Sequence, residues 1–242
     1  MELNFNKILK EGCKISSSGT TGDPKQIFRT PDNLKACNEV AIDCQKITKN
    51  SSIYTCTRMT HAGGLLLQSL PAYTLGCDIT IEKFNAFSFL KRFKGHTHTF
   101  LSPAMCEAVM NTKGFIQADF TGKIIAMGSD PIPWNHIYEF VSKGATVIAN
   151  WGMSEIGPCT INTTFTNKDQ IDRYFEYAPK DTTILGDTFY CDAKVENNKL
   201  FVKGPTCIYE DWFETGDLVE QKFMRPQLRW NPLLYYQGRK TS

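Results

Sequence analysis

The chain has 242 residues, 41% of them hydrophobic and 12% aromatic, which is enough to bury one large core or two small ones. Its 27 basic and 25 acidic residues leave a formal charge of +2, so no long-range field draws it to nucleic acid or to an anionic membrane. Any anion site has to be local.

The first stretch with chemical content is Ile15 to Lys25. Gly19 and Gly22 let main-chain N–H groups approach an anion, and the five hydroxyls of Ser16, Ser17, Ser18, Thr20 and Thr21 can each donate to a phosphate oxygen. Lys25 adds a full positive charge. The spacing is not the Walker pattern G-x-x-x-x-G-K-(S/T), because Lys25 follows Gly22 by three residues with Pro24 before it. A plain Ser/Thr-rich surface turn is the alternative. Gln26 to Arg29 reads as a short strand, making Ser16 to Phe28 a strand-loop-strand hairpin with the loop at its tip. A helix then starts, with Thr30 as N-cap and Pro31 in its first turn. Leu34, Cys37, Val40, Ala41, Cys44 and Ile47 recur on it at helical spacing and form its core stripe.

From there strands and helices alternate. Strands are expected at 52–56, 77–82, 97–101, 123–127 and 145–149, and helices at 64–75, 87–93, 103–110 and 133–143. Such alternation predicts an α/β fold, a mostly parallel sheet with covering helices, whose ligands sit at the carboxyl ends of the strands. His61, Ser102, Gly128 and the run Trp151 to Glu155 each follow one of those strands. Beyond about Pro158 the pattern changes to short β runs, including a hairpin turning at Asn197-Asn198. The expected division is therefore an α/β core over 1–158 and a small β subdomain over 159–242. The stretch after Gln221 has no period.

Two further motifs carry chemistry. Trp151-Gly152-Met153-Ser154-Glu155 offers an aromatic face for a purine, a hydroxyl for a phosphate and a carboxylate for Mg²⁺ within one turn. Thr215-Gly216-Asp217 offers a carboxylate able to accept from two vicinal hydroxyls, as a ribose presents them. His96 and His98 alternate on a strand without a metal-ligand pattern, which points to core or surface roles. The nine cysteines lie at least seven residues apart, so no C-x-x-C pair exists, and they suit a reducing compartment. Met1 to Lys7 lack the features of a signal peptide, and no apolar run reaches membrane-spanning length. A cytoplasmic protein with no nucleic-acid or membrane partner is expected.

Ser17 to Lys25 resembles the phosphate loop of the adenylate-forming superfamily, (S/T)-S-G-T-T-G-x-P-K, at every fixed position. Trp151 to Glu155 is similar to that family's aromatic-G-(M/L)-(T/S)-E block, and Thr215 to Asp217 to its T-G-D. Weaker likenesses are Thr60 to Gly64, Gly128-Ser129-Asp130-Pro131 for a G-G-A-P turn, and Gly238-Arg239 for a G-R-x-x-D hinge whose aspartate is Ser242 here. The resemblance implies that Trp151 stacks on adenine, Ser154 contacts the α-phosphate and Glu155 holds the metal. It assigns the ribose to Asp217 and Arg239, and gating of an acyl pocket to His61. That pocket is expected between His61, Gly128 and Met153, with Ser129, Asp130 and Gly152 lining the nucleotide side. Lys25, Ser154, Glu155 and His61 are the expected catalytic groups.

The implied cofactors are ATP and Mg²⁺, with CoA as a thiol acceptor and a small carboxylic acid as substrate. The branch most resembled is that of the acyl-CoA synthetases and o-succinylbenzoate–CoA ligases. The family's lysine-bearing C-terminal domain and its long N-terminal segment have no counterpart in these 242 residues. The expectation is thus a core incomplete alone, with a second polypeptide supplying the missing domain. The rival readings are a non-catalytic nucleotide or acyl-adenylate binding module, half of a two-chain enzyme, or a chain cut at the hinge.

Overall fold

The computed structural model describes residues 4–17, 25–223 and 232–239. A short helix α1 (Phe5–Glu11), capped by Asn4, leads into β1 (Cys13–Ser16), which pairs antiparallel with β2 (Gln26–Arg29) so that Ser16 faces Gln26. The Ser17 N–H donates to the Lys25 carbonyl at 2.9 Å and the Lys25 N–H to Ser17 Oγ at 3.2 Å, which closes the mouth of the expected phosphate loop. Ser18, Gly19, Thr20, Thr21 and Gly22 lie outside the described residues. Helix α2 (Pro31–Gln45) begins as its sequence predicts, with Thr30 Oγ1 accepting from the Asn33 N–H, and all six residues of the expected stripe are buried.

The alternating region follows: β3 (Ser52–Thr55), α3 (Ala62–Gly64), a π-helical turn (Leu65–Ser69) and α4 (Leu70–Leu75). Next come β4 (Asp78–Ile81), α5 (Ala86–Phe93), β5 (His98–Leu101), α6 (Pro103–Met110), β6 (Ile124–Met127) and α7 (Trp134–Ser142). Then β7 (Thr146–Met153), β8 (Gly157–Phe165), α8 (Lys168–Glu176), β9 (Thr183–Gly186) and β10 (Thr188–Phe189) complete a seven-stranded sheet and begin another. The seven-stranded sheet has the order β10-β8-β7-β6-β5-β3-β4, parallel from β4 to β7 and antiparallel beyond. Chain order reverses at β3, with β4 on one side and β5 to β7 on the other. A crevice is therefore expected at the carboxyl ends of β3 and β5.

Strands β11 (Asp192–Glu196), β12 (Lys199–Lys203), β13 (Phe213–Lys222) and β14 (Leu233–Arg239) make an antiparallel sheet with β9, in the order β11-β12-β13-β14-β9. Asn197 and Asn198, at φ 51° and 60°, form the predicted turn between β11 and β12. The division expected at 158 falls inside β8, which pairs with β7 along its length, and the strands change sheets only at β9. Both sheets share one core. Ile184 of β9 and Leu233 and Tyr235 of β14 join the apolar cluster that contains Phe140, Val147 and Phe165. Part of the aperiodic stretch after Gln221 is strand β14. No helix among the described residues is long and apolar enough to cross a membrane.

Candidate active site

Strand β7 organises the site. It runs past the predicted end at Ala149, so Trp151, Gly152 and Met153 are strand residues and not the turn that follows. Pairing with β8 extends it, Trp151 opposite Ile161 and Met153 opposite Gly157. The approach there is close: a Cβ on Gly152 would come within 2.3 Å of the Gly157 carbonyl oxygen. Trp151 and Met153 pack on the apolar cluster of the five-stranded sheet, which braces the indole from one side.

Trp151 reaches Asp217. Its Nε1–H donates to Asp217 Oδ2 at 2.9 Å, while Arg239 Nε lies 3.6 Å from Oδ1 and Arg239 Nη2 donates to the Thr215 carbonyl at 3.1 Å. The pairing of β13 with β14 sets Asp217 opposite Arg239, and the Thr215 hydroxyl accepts from the Asp217 N–H at 3.0 Å. Asp217 is 5% exposed, and that burial raises its pKa above the ordinary carboxylate range; the Trp151 hydrogen bond and the Arg239 charge only partly oppose it. Tyr236, half-buried beside Asp217, Arg239 and Asp130, is pushed up chiefly by burial as well. No motif points to Tyr236. Its only sequence signal is its place three residues before Arg239.

A second cluster gathers on the Ser16 carbonyl, where β1 pairs with β2. Ser154 Oγ, one residue past the end of β7, donates to it at 3.2 Å, and His61 Nδ1 approaches it at 3.1 Å. A carbonyl can only accept, so His61 carries a hydrogen on Nδ1. The Ser16 N–H in turn donates to the Thr60 carbonyl at 2.8 Å. Three segments far apart in sequence thus meet at one residue.

Gly128 ends β6 against Asn150, and a Cβ there would come within 2.4 Å of the Asn150 carbonyl and 2.8 Å of its Nδ2. Asn150 Oδ1 accepts from the Cys159 N–H at 2.6 Å, so this unpredicted asparagine ties the end of β6 to the β7–β8 hairpin. Ser129 follows at φ 77° and, like Asp130, is exposed. Ser102 caps α6, its hydroxyl accepting from the Met105 N–H at 3.4 Å. His98 is buried, with Nε2 3.0 Å from the Gln45 carbonyl, and His96 stacks on Tyr54.

Glu155 is partly exposed, and its main-chain carbonyl accepts from the Ile208 N–H at 3.0 Å. No group of three or more potential metal ligands occurs among the described residues. A lone carboxylate fits Mg²⁺ that arrives on a nucleotide, since that ion keeps several waters and is ordinarily bound through one or two carboxylates and substrate phosphates.

The α/β fold, with its largely parallel central sheet and added antiparallel sheet, matches that of the adenylate-forming N-terminal domain. The N-terminal domain of FACL13 from Mycobacterium tuberculosis superposes with a TM-score of 0.74 at 17% identity, over 94% of this chain and 60% of that one. ATP-bound MatB from Rhodopseudomonas palustris gives 0.73 at 18%, covering 93% and 47%. The o-succinylbenzoate CoA synthetase of Bacillus subtilis in complex with AMP gives 0.71 at 19%, covering 94% and 49%. In sequence, the indoleacetate–CoA ligase of Aromatoleum aromaticum is 25% identical over 229 residues, 85% of this chain and 44% of that protein. Residues 15–188 match the model of the AMP-binding enzyme family, and the chain belongs to that family. It spans about half the length of the relatives it matches.

Proposed function

We propose that this chain binds ATP and AMP and is the core of a ligase that activates a small carboxylic acid as its acyl-adenylate. The observation that carries the reading is Asp217 of β13, a buried carboxylate held by an arginine and by the indole N–H of Trp151 near the carboxyl end of β7. Its oxygens would accept from the two ribose hydroxyls, with Arg239 beside them and Trp151 against the base. Ser154, Ser17 and Lys25 would face the phosphates, together with the loop residues Ser18 to Gly22. Glu155 would take a Mg²⁺ ion borne by the nucleotide, which supplies charge neutralisation on the phosphate oxygens. Gly128, Ser129, Asp130, Gly152 and Met153 would line the base and the acyl group, and His61 would stand at the acyl end.

In the reaction a carboxylate oxygen bonds to the α-phosphorus as the bond from that phosphorus to the bridging oxygen of pyrophosphate breaks. Positioning and charge neutralisation do this work, with no proton to move. Thioester formation with CoA, with the acid resembling the aryl or succinyl acids of the relatives' names, is a further part of the proposal. A module that binds nucleotide without turnover is the second reading. Incubation with ATP, Mg²⁺ and a panel of carboxylic acids, followed by mass spectrometry of trapped adenylate, separates the two. Nucleotide binding with no adenylate from any acid would favour the binding module.

A further inference from the structure

Arg29 belongs to none of the motifs. It lies on β2, immediately after the phosphate loop, on the same inner face as Ile27, and it is 0% exposed. Its Nη2 donates to the Ser154 carbonyl at 2.5 Å. Nη1 donates to the Thr206 carbonyl at 2.6 Å and to Asn33 Oδ1, with the Cys37 sulfur at 3.4 Å. Asn33 passes the connection on, its Nδ2 donating to the Pro205 carbonyl at 2.9 Å and the Cys207 carbonyl at 3.0 Å. The Ile208 N–H closes the ring by donating to the Glu155 carbonyl at 3.0 Å. Three segments are tied through one guanidinium: the phosphate-loop hairpin, the turn at Ser154-Glu155 and the loop at 205–208.

Burying a guanidinium is costly, and burial lowers the pKa of Arg29; its hydrogen-bond acceptors here are neutral. An apolar side chain of similar volume would avoid that cost. What it could not do is satisfy two carbonyls from different segments at once, a task suited to the rigid fork of arginine and poorly matched by lysine. We propose that Arg29 is a positioning residue that holds the Ser154-Glu155 turn in register with the phosphate-loop hairpin, and so sets where Glu155 presents its carboxylate to a divalent cation on the nucleotide. The proposal rests on the nucleotide reading given above.

Calorimetry of magnesium–ATP and of metal-free AMP on wild type, Arg29→Lys, Glu155→Gln and the double variant tests it. Partners that orient a metal-binding group typically cost 10–100-fold in metal affinity when changed, so Arg29→Lys should weaken magnesium–ATP by about tenfold or more and AMP by less than about twofold. In the Glu155→Gln background, the Arg29→Lys change should add little. A folded Arg29→Lys protein that binds magnesium–ATP like wild type, or loses both nucleotides alike, would overturn the proposal. Should Arg29→Lys not fold, hydrogen exchange on wild type decides. Magnesium–ATP must protect residues 153–156 and 205–208 together, and protection of 153–156 alone would overturn the linkage. A wild-type protein that binds neither nucleotide would overturn the nucleotide reading itself, and this proposal with it.

Discussion

Replacing Asp217 by Asn separates binding from stability at one atom. The carboxylate now gives one oxygen to the Trp151 N–H and the other to the side where Arg239 lies. Asparagine has a single acceptor oxygen; if that oxygen stays with Trp151, an NH₂ group faces Arg239 and any ribose, donor against donor. Both charge-assisted ribose contacts are then lost, at roughly 1.5–3 kcal/mol each, or two to four orders of magnitude in AMP affinity. Stability should move the other way. Burial raises the folded-state pKa of Asp217 above its unfolded value, so as pH rises through the unfolded value of about 3.9 the unfolded chain releases the proton first and the fold loses stability. Above the folded-state value that loss is complete and constant. Arg239 is 45% exposed and its pairing is screened, so it offsets little. The neutral amide of Asp217→Asn escapes the penalty: the unliganded variant should melt higher than wild type at pH 7, with the difference vanishing below about pH 3.9. Calorimetry with AMP and melting curves at both pH values check this. Equal AMP affinity would remove the ribose assignment, and a variant that melts lower at pH 7 would refute the burial argument.

Other outcomes follow from the same geometry. Glu155→Gln keeps size and hydrogen bonding but removes the charge a hard cation prefers, so magnesium–ATP affinity should fall while AMP affinity holds, and titration of each ligand will show whether both fall together. Gly128→Ala forces a methyl to within 2.4 Å of the Asn150 carbonyl, and should cost about 1–3 kcal/mol in urea unfolding while displacing Asn150 from the Cys159 N–H. Burial holds the Cys37 thiol near 11 and the Cys56 thiol near 12, so neither should react with a thiol reagent at about pH 8 until the protein unfolds, which timed mass spectrometry of alkylated peptides can follow.

Much of the fold is legible because local rules and tertiary needs agree. The α2 stripe, its Thr30 cap and the alternation from Ser52 to Ala149 depend on periodicity and capping, which neighbours in sequence determine. The end of β7 does not. Gly152 reads as a turn residue, and only pairing with β8 makes Trp151 to Met153 a strand, a contact that no local window contains. The same pairing puts β8 in the main sheet and carries the change of sheets past 158. Arg29 is instructive for the opposite reason. Strand alternation places it on the inner face with Ile27 and sends Phe28 out to 51% exposure, so the signal for a buried arginine was present. Arginine is rarely fully buried, and two of its acceptors, the Ser154 and Thr206 carbonyls, lie more than a hundred residues away with no mark in the sequence.

Arg29 and Asp217 share a property that bears on how the site responds to ligand. Each is a buried charge whose desolvation the unliganded fold offsets incompletely, one beside the turn after β7 and the other against Trp151 on β7. A nucleotide would give Asp217 two hydroxyl donors and bring negative phosphate charge to the end of β7 where Ser154 and Glu155 sit. The stability that Asp217 costs in the free protein should then return as binding. A ligand that binds only the folded state at a hundred times its Kd stabilises by about 2.7 kcal/mol, which for a chain of this size raises Tm by roughly 5–11 °C. Asp217→Asn should gain almost none of that shift. The two melting curves must therefore exchange order when AMP is added, the variant melting higher without it and wild type with it. Curves that keep their order at saturating AMP would mean that Asp217 is buried for packing alone and that the ribose sits elsewhere.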